Sequence, residues 1–171
     1  INMGCPVNKI VKSNAGSALM KDIDHAVKVV ESIIEHVDKP VTVKMRLGWT
    51  KDSINCFELA QRLEKAGVKA IALHGRTRGQ MYEGKADWDK IKLLHESLNI
   101  PLIGNGDIKT LEDYIKYKDY CSAVMIGRGI VGNPFLIKQI NDYEQGIVSP
   151  VVTIDDRFDS LINHTARLIE V

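Results

Sequence analysis

Four kinds of chemically capable residue recur along this chain, each just after a short apolar run. They are a cysteine on a turn, a lysine inside a strand-like segment, a histidine followed by two arginines, and two glycine turns. The cysteine lies in Asn2-Met3-Gly4-Cys5-Pro6. Gly4 is expected to let the backbone bend. Pro6 fixes its own φ and biases Cys5 toward extended backbone. Two readings stand at this point. One is a thiol aimed at a ligand from a basic loop carrying Asn8, Lys9 and Lys12. The other is a strand-end turn with an inert cysteine.

Lys44 sits in Val41-Thr42-Val43-Lys44-Met45-Arg46. Period-two alternation sets Val41 and Val43 on one face and Thr42, Lys44 and Arg46 on the other. A cation facing an interior is unfavourable unless it meets an anion or an electron-rich ligand. His74-Gly75-Arg76-Thr77-Arg78 follows the run Ala70 to Leu73. A histidine at a strand end is commonly just a satisfied polar group, but two neighbouring guanidiniums offer planar donors suited to phosphate. Gly104-Asn105-Gly106-Asp107 and Gly127-Arg128-Gly129 close the set. Two glycine turns at consecutive strand ends make a candidate phosphate site on backbone N–H groups. Lys9, Lys12, Lys44, Arg46, Arg76, Arg78, Lys85 and Arg128 all fall at or after strand ends. They predict one positive face, suited to a polyanion as well as to a phosphorylated cofactor.

The elements that must position these residues alternate. Val41 to Met45, Ala70 to Leu73, Pro101 to Ile103 and Ala123 to Ile126 are short, nearly continuous apolar runs, as buried parallel strands are. Ile1-Asn2 reads as the end of another. Helical spacing predicts helices over Ala18 to Val37, over Ile54 to Ala66 with Gly67 ending it, from Trp88 to Leu98, and around Leu111 to Ile115. Asn133-Pro134 reads as a cap and first residue of a further helix. Strand–helix alternation gives an open doubly wound sheet or a (β/α)8 barrel. Polar clusters at every strand end favour the barrel. The expected fold class is therefore α/β, the C-terminal part of a barrel followed by the start of a helical domain. Residues 1–146 run from the end of strand 4 through helix 8. Residues 147–171 hold a linker and a helix opened by Thr153 and Asp156, a capping box with Asp for the usual Glu. Missing strands are expected to precede residue 1.

The 171 residues are 44% hydrophobic and 26% charged, with 23 basic and 22 acidic side chains and a net charge of +1. That is an ordinary globular composition and not one coated in nucleic acid. No apolar run approaches the roughly 20 residues of a membrane span. Cys5, Cys56 and Cys121 fit neither a zinc site nor a disulfide framework. A reducing cytoplasm is the expected location.

In this order the motifs resemble the tRNA-dihydrouridine synthase family, and most closely its bacterial branch. The matching pieces are Asn2 to Pro6, Val43 to Trp49, Leu73 to Arg78, Gln80 to Trp88, Gly104 to Ile108, and Met125 to Arg128. The resemblance implies an FMN-binding barrel with a C-terminal helical domain that binds tRNA. It puts Cys5 on the catalytic cysteine, Lys44 on a lysine that contacts the flavin ring, and His74 on a histidine near flavin and substrate. Asn105, Gly106, Asp107, Gly127 and Arg128 fall on the FMN-binding loops. Arg46, Arg76, Arg78 and Lys9 are expected to serve substrate RNA, the first two with flavin as an alternative. Gly129 stands where Ala is more usual, a departure expected to be minor. The family's first strands and their flavin-contacting Gln have no counterpart here.

The implied reaction is reduction of uridine to 5,6-dihydrouridine in tRNA. NADPH or NADH reduces FMN, hydride passes to C6, and Cys5 gives a proton to C5. An ordinary thiol, with a pKa of about 8.5, is mostly protonated at neutral pH and can act as that acid. Two other readings share the residues: an FMN barrel acting on a dihydropyrimidine or dihydroorotate-like small molecule, and an inactive RNA-binding barrel fragment. Open strand edges would make the isolated chain self-associate.

Overall fold

The computed structural model describes residues 1–169. Five strands form one sheet in the order β1-β2-β3-β4-β5, and every neighbouring pair is parallel. They are β1 (Asn2–Met3), β2 (Thr42–Arg46), β3 (Ala70–His74), β4 (Leu102–Asn105) and β5 (Ala123–Met125). Sequential parallel strands joined by helices are the arrangement of part of a (β/α)8 barrel, as expected. Among the described residues, the outer edges of β1 and β5 carry no strand partner.

The helices are α1 (Asn8–Val11), α2 (Ile23–Ile34), α3 (Cys56–Lys65), α4 (Trp88–Glu96), α5 (Leu111–Tyr117), α6 (Phe135–Glu144) and α7 (Ile154–Ile169). Val43, Met45, Ile71, Leu73 and Leu102 project from the sheet into a core with Ala26, Val30, Leu59, Leu63, Ile91 and Leu94 of the helices. Cys56 and Cys121 are buried in it, and burial pushes the Cys56 thiol up to about 12. The opposite face carries Lys44, Arg46, His74 and Asn105.

Two expected elements differ. The helix read over Ala18 to Val37 is a 3-10 helix at Gly16–Lys21 followed by α2. Asp22 divides them: it is extended, and its carboxylate accepts from the backbone N–H of His25, capping α2. Pro134 is the N-cap of α6 and Asn133 lies outside it, with no side-chain cap bond. Gly67, with φ +101°, ends α3 as read. Thr153 and Asp156 do form the reciprocal capping bonds at α7. That helix is described to Ile169, so its expected run to Val171 lies partly outside the described residues.

The chain divides into two compact units, 1–129 and 130 onward. The expected boundary at 146/147 falls inside the second. In that unit, Asp142 accepts from Lys138 Nζ and from Ser149 Oγ at 2.6 Å, fastening the segment after α6. No helix among the described residues is long and apolar enough to cross a membrane.

Gly104 shows how tightly β4 packs on α4. A methyl there would lie 2.5 Å from the Trp88 ring and 2.8 Å from Cys121 Sγ. Gly104→Ala is expected to lower unfolding free energy by about 1–3 kcal/mol, read from urea melts; an unchanged midpoint would refute this packing.

Candidate functional site

Strand register builds the site. Arg46 pairs with His74, His74 with Asn105, and Asn105 with Met125, so the last residues of four strands stand in one row. In a parallel sheet such a row shares one face. The loops that follow enclose a cleft of about 370 Å³ at the C-terminal strand ends. Its lining includes Cys5, Lys44, Arg46, His74, Asn105, Gly106, Asp107, Gly127 and Arg128 from the predicted set. The volume lies in the range of small-molecule sites.

The cysteine turn is held differently from the expectation. Gly4 is not left-handed, and a methyl on it would meet only ordinary contacts at 3.6 Å. The fastening is Asn2, whose Oδ1 accepts from the N–H groups of Gly4 and Cys5 at 2.9 and 3.1 Å. Ser17 closes the other side, donating through N and Oγ to the Cys5 carbonyl. The glycine that the turn requires is Gly16. It has φ +60°, and a methyl on it would come within 2.9 Å of the Cys5 carbonyl oxygen. Asn2 belongs to the motif read from sequence but without this role, and only the fold brings Gly16 and Ser17 under Cys5.

Lys44 Nζ donates to Asn105 Oδ1 at 3.0 Å, and Asn105 Nδ2 donates to the Met125 carbonyl at 2.9 Å. Both ends of the amide are thereby fixed. Burial, and then the nearby Arg46 charge, hold the Lys44 ammonium below the usual lysine range. His74 is 6% exposed. Burial first, then Arg46, Lys44 and Arg76, push its pKa down to about 3. Its Nε2 faces Arg76 Nη1 at 3.4 Å. A guanidinium only donates, so Nε2 accepts and the ring proton sits on Nδ1.

Arg76 is a correction to the expectation of RNA contact, whereas Arg46, expected to serve RNA or flavin, stands at the cleft. Each is 2% exposed. Arg46 lines the cleft, but it donates to the carbonyls of Gly4, Thr77 and Met81. Arg76 donates to the carbonyls of Glu83 and Gly84 and to both oxygens of Asp107. The Arg76 guanidinium, so enclosed and outside the cleft lining, is not presented to a polyanion. Arg78 and Lys9 also lie outside the cleft lining. Arg78 stacks 4.6 Å from the Trp49 ring and donates to Asn8 Oδ1. Lys9 is exposed on α1.

Sequence reasoning missed Tyr82 as a cleft residue. The residue is 52% exposed, and its ring lies 4.4 Å from the Arg128 guanidinium and 5.6 Å from that of Arg46. Cation–π attraction of this kind holds a ring by its face. Four cations line the cleft (Lys44, Arg46, Lys109 and Arg128) against one acid, Asp107. That acid is already engaged by Arg76. The cleft therefore has unbalanced positive charge.

The glycines of the last turn differ. At Gly127 an added methyl meets nothing within 4 Å, so its side of the cleft is open to a ligand. At Gly129 a methyl would lie 2.0 Å from the Ile108 carbonyl oxygen. This departure from the family pattern is therefore built into the packing and is not minor.

A family model for dihydrouridine synthase (Dus) matches residues 1–171. A probable tRNA-dihydrouridine synthase of Rhizobium leguminosarum bv. phaseoli is 50% identical over 137 residues, covering 79% of this chain and 43% of that protein. One from Rickettsia bellii is 40% identical over 173 residues, covering 99% of this chain and 53% of the relative. The tRNA-dihydrouridine synthase B of Pasteurella multocida is 39% identical over 171 residues, with 98% and 52% covered. The chain thus spans about half the length of these relatives.

The His74 environment sets a pH dependence. Its folded pKa, about 3, lies below its ordinary 6.5. The unfolded chain therefore binds a proton first as the pH falls. The stability it contributes is complete above about pH 6.5 and is lost progressively toward pH 3. His74→Gln should flatten the fall in melting temperature across that window. An NMR midpoint for His74 near 6.5 would refute the burial argument.

Proposed function

The chain belongs to the dihydrouridine synthase family, and on that premise we propose that its cleft is the site at which FMN and a tRNA uridine meet, with Cys5 as the proton donor to C5. The observation that carries this reading is convergence. Cys5, Lys44, His74 and Arg128 come from four separate strand ends and line one positive cleft.

The residues suit a phosphorylated flavin. The cations outnumber the single engaged acid, and Gly127 leaves room for close approach to the backbone. Gly127 and Arg128 would hold the phosphate, with Gly106 completing the glycine cradle. Lys44, braced by Asn105, would face the ring with positive charge, which favours its anionic reduced form. When bound, FMN supplies hydride for C6 of the base, taken from NADPH or NADH.

The protein's own groups do the rest. Asn2 and Ser17 fix the backbone at Cys5, whose side chain lines the cleft wall. Reduction at C6 builds negative charge on the base, and a positioned acid relieves it. His74 stays neutral and offers Nδ1–H as a permanent donor. Tyr82, steadied by Arg128 and Arg46, gives an exposed aromatic face beside the cleft. A base leaving its stack in RNA finds such a face favourable. We assign α7 to a helical portion that grips tRNA.

The whole protein should be yellow and release FMN on denaturation. Cys5→Ala should keep the flavin and lose about 10²–10⁴-fold in dihydrouridine formation on unmodified tRNA. Full turnover by that variant would refute the role of Cys5. Flavin oxidation by free uracil or orotate in place of tRNA would instead favour a small-molecule enzyme.

A further inference from the structure

Asp107 opens the glycine turn toward α5, and its backbone is left-handed, with φ +57°. Glycine or asparagine adopts that conformation more readily than an ordinary L residue. The carboxylate explains the aspartate. Its two oxygens accept from Arg76 Nη2 at 2.9 and 2.8 Å, and Oδ2 also accepts from the Ala86 N–H at 2.7 Å. Burial would raise the Asp107 pKa, but the Ala86 and Arg76 donors outweigh it and hold the carboxyl below its usual range. The other donors of Arg76 go to the carbonyls of Glu83 and Gly84 and to His74 Nε2. The segment 83–86, just after Tyr82, is thus bound from one side by Arg76 and from the other by Asp107.

We propose that Asp107 and Arg76 are positioning residues, a partly buried ion pair that straps the Tyr82 loop to the glycine turn after β4. The strap makes the aromatic face and the cradle one rigid piece. Asp107 acts through its side chain on the loop and contacts no ligand with it. Its consequences for substrate rest on the proposed function, but the strap itself does not.

The test uses Asp107→Asn in the whole protein, a change that tolerates left-handed backbone and removes the charge. Three quantities are measured: amide hydrogen exchange over residues 79–87, the Kd for added FMN, and kcat and KM for tRNA. Loss of the pair should speed exchange of the loop amides by about tenfold and raise KM for tRNA by a similar factor. The Kd for FMN should change by less than about threefold, since only uniform substrate binding is lost. Weakened FMN binding with loop exchange unchanged would overturn the proposal and make Asp107 a direct ligand. Should Asp107→Asn fail to fold, Arg76→Lys is read in the same way, because lysine keeps the charge but cannot reach all of the acceptors. Faster loop exchange in a protein that never reduces uridine would leave the strap standing and remove the proposed function instead.

Discussion

Two largely buried guanidiniums govern this site. A buried charge is unfavourable by several kcal/mol unless every donor finds an acceptor. Arg76 meets that demand from two backbone carbonyls, Asp107 and His74, and Arg46 meets it through Nε and Nη1 from three backbone carbonyls. The carbonyls belong to the turn before Cys5 and to the loop from Thr77 to Gly84. Satisfying the arginines therefore folds those segments around them. The loop from Thr77 to Gly84 is held by these two side chains together with its own backbone bonds and the Thr77–Gln80 pair. Burial, and then repulsion by these charges and Lys44, is why the His74 imidazole stays neutral.

Above this base the sheet register does the rest of the positioning. Cross-strand partners at the ends of β2, β3 and β4 share a level, so an arginine, a histidine and an asparagine meet without a long-range device. The lysine one step lower reaches the asparagine by its length alone. Chemistry is thereby assembled by the most regular part of the fold, while the variable loops supply the thiol and the aromatic face.

Much of this was legible in the sequence, and what was not has physical causes. Short apolar runs followed by polar clusters identified all the strands and the cleft, because a buried parallel strand has to be apolar and its end is where function can sit. Arg76 was misread because a guanidinium looks the same in sequence whether phosphate or carbonyl will meet it. Gly16 and Ser17 were missed because their relation to Cys5 is spatial, across a loop of 12 residues. Asp22 carried a usable signal, an aspartate three residues before an amide it caps, but the apolar periodicity on both sides of it masked the break. Gly4 drew attention owed to Asn2, since a glycine in a turn suggests flexibility while an Asx bond is silent until a structure exists.

The two glycines of the last turn separate pressures that a sequence cannot. Around Gly127 the chain itself imposes no steric limit, whereas at Gly129 the Ile108 carbonyl leaves no room for a methyl. A mutant library sorted only for folding would therefore be depleted at 129 and permissive at 127. The same library sorted for ligand occupancy would become depleted at 127 as well. Two positions two residues apart would record a folding filter and a binding filter as distinct tolerance profiles, and the difference between them would mark where the protein's own packing stops and its ligand's begins.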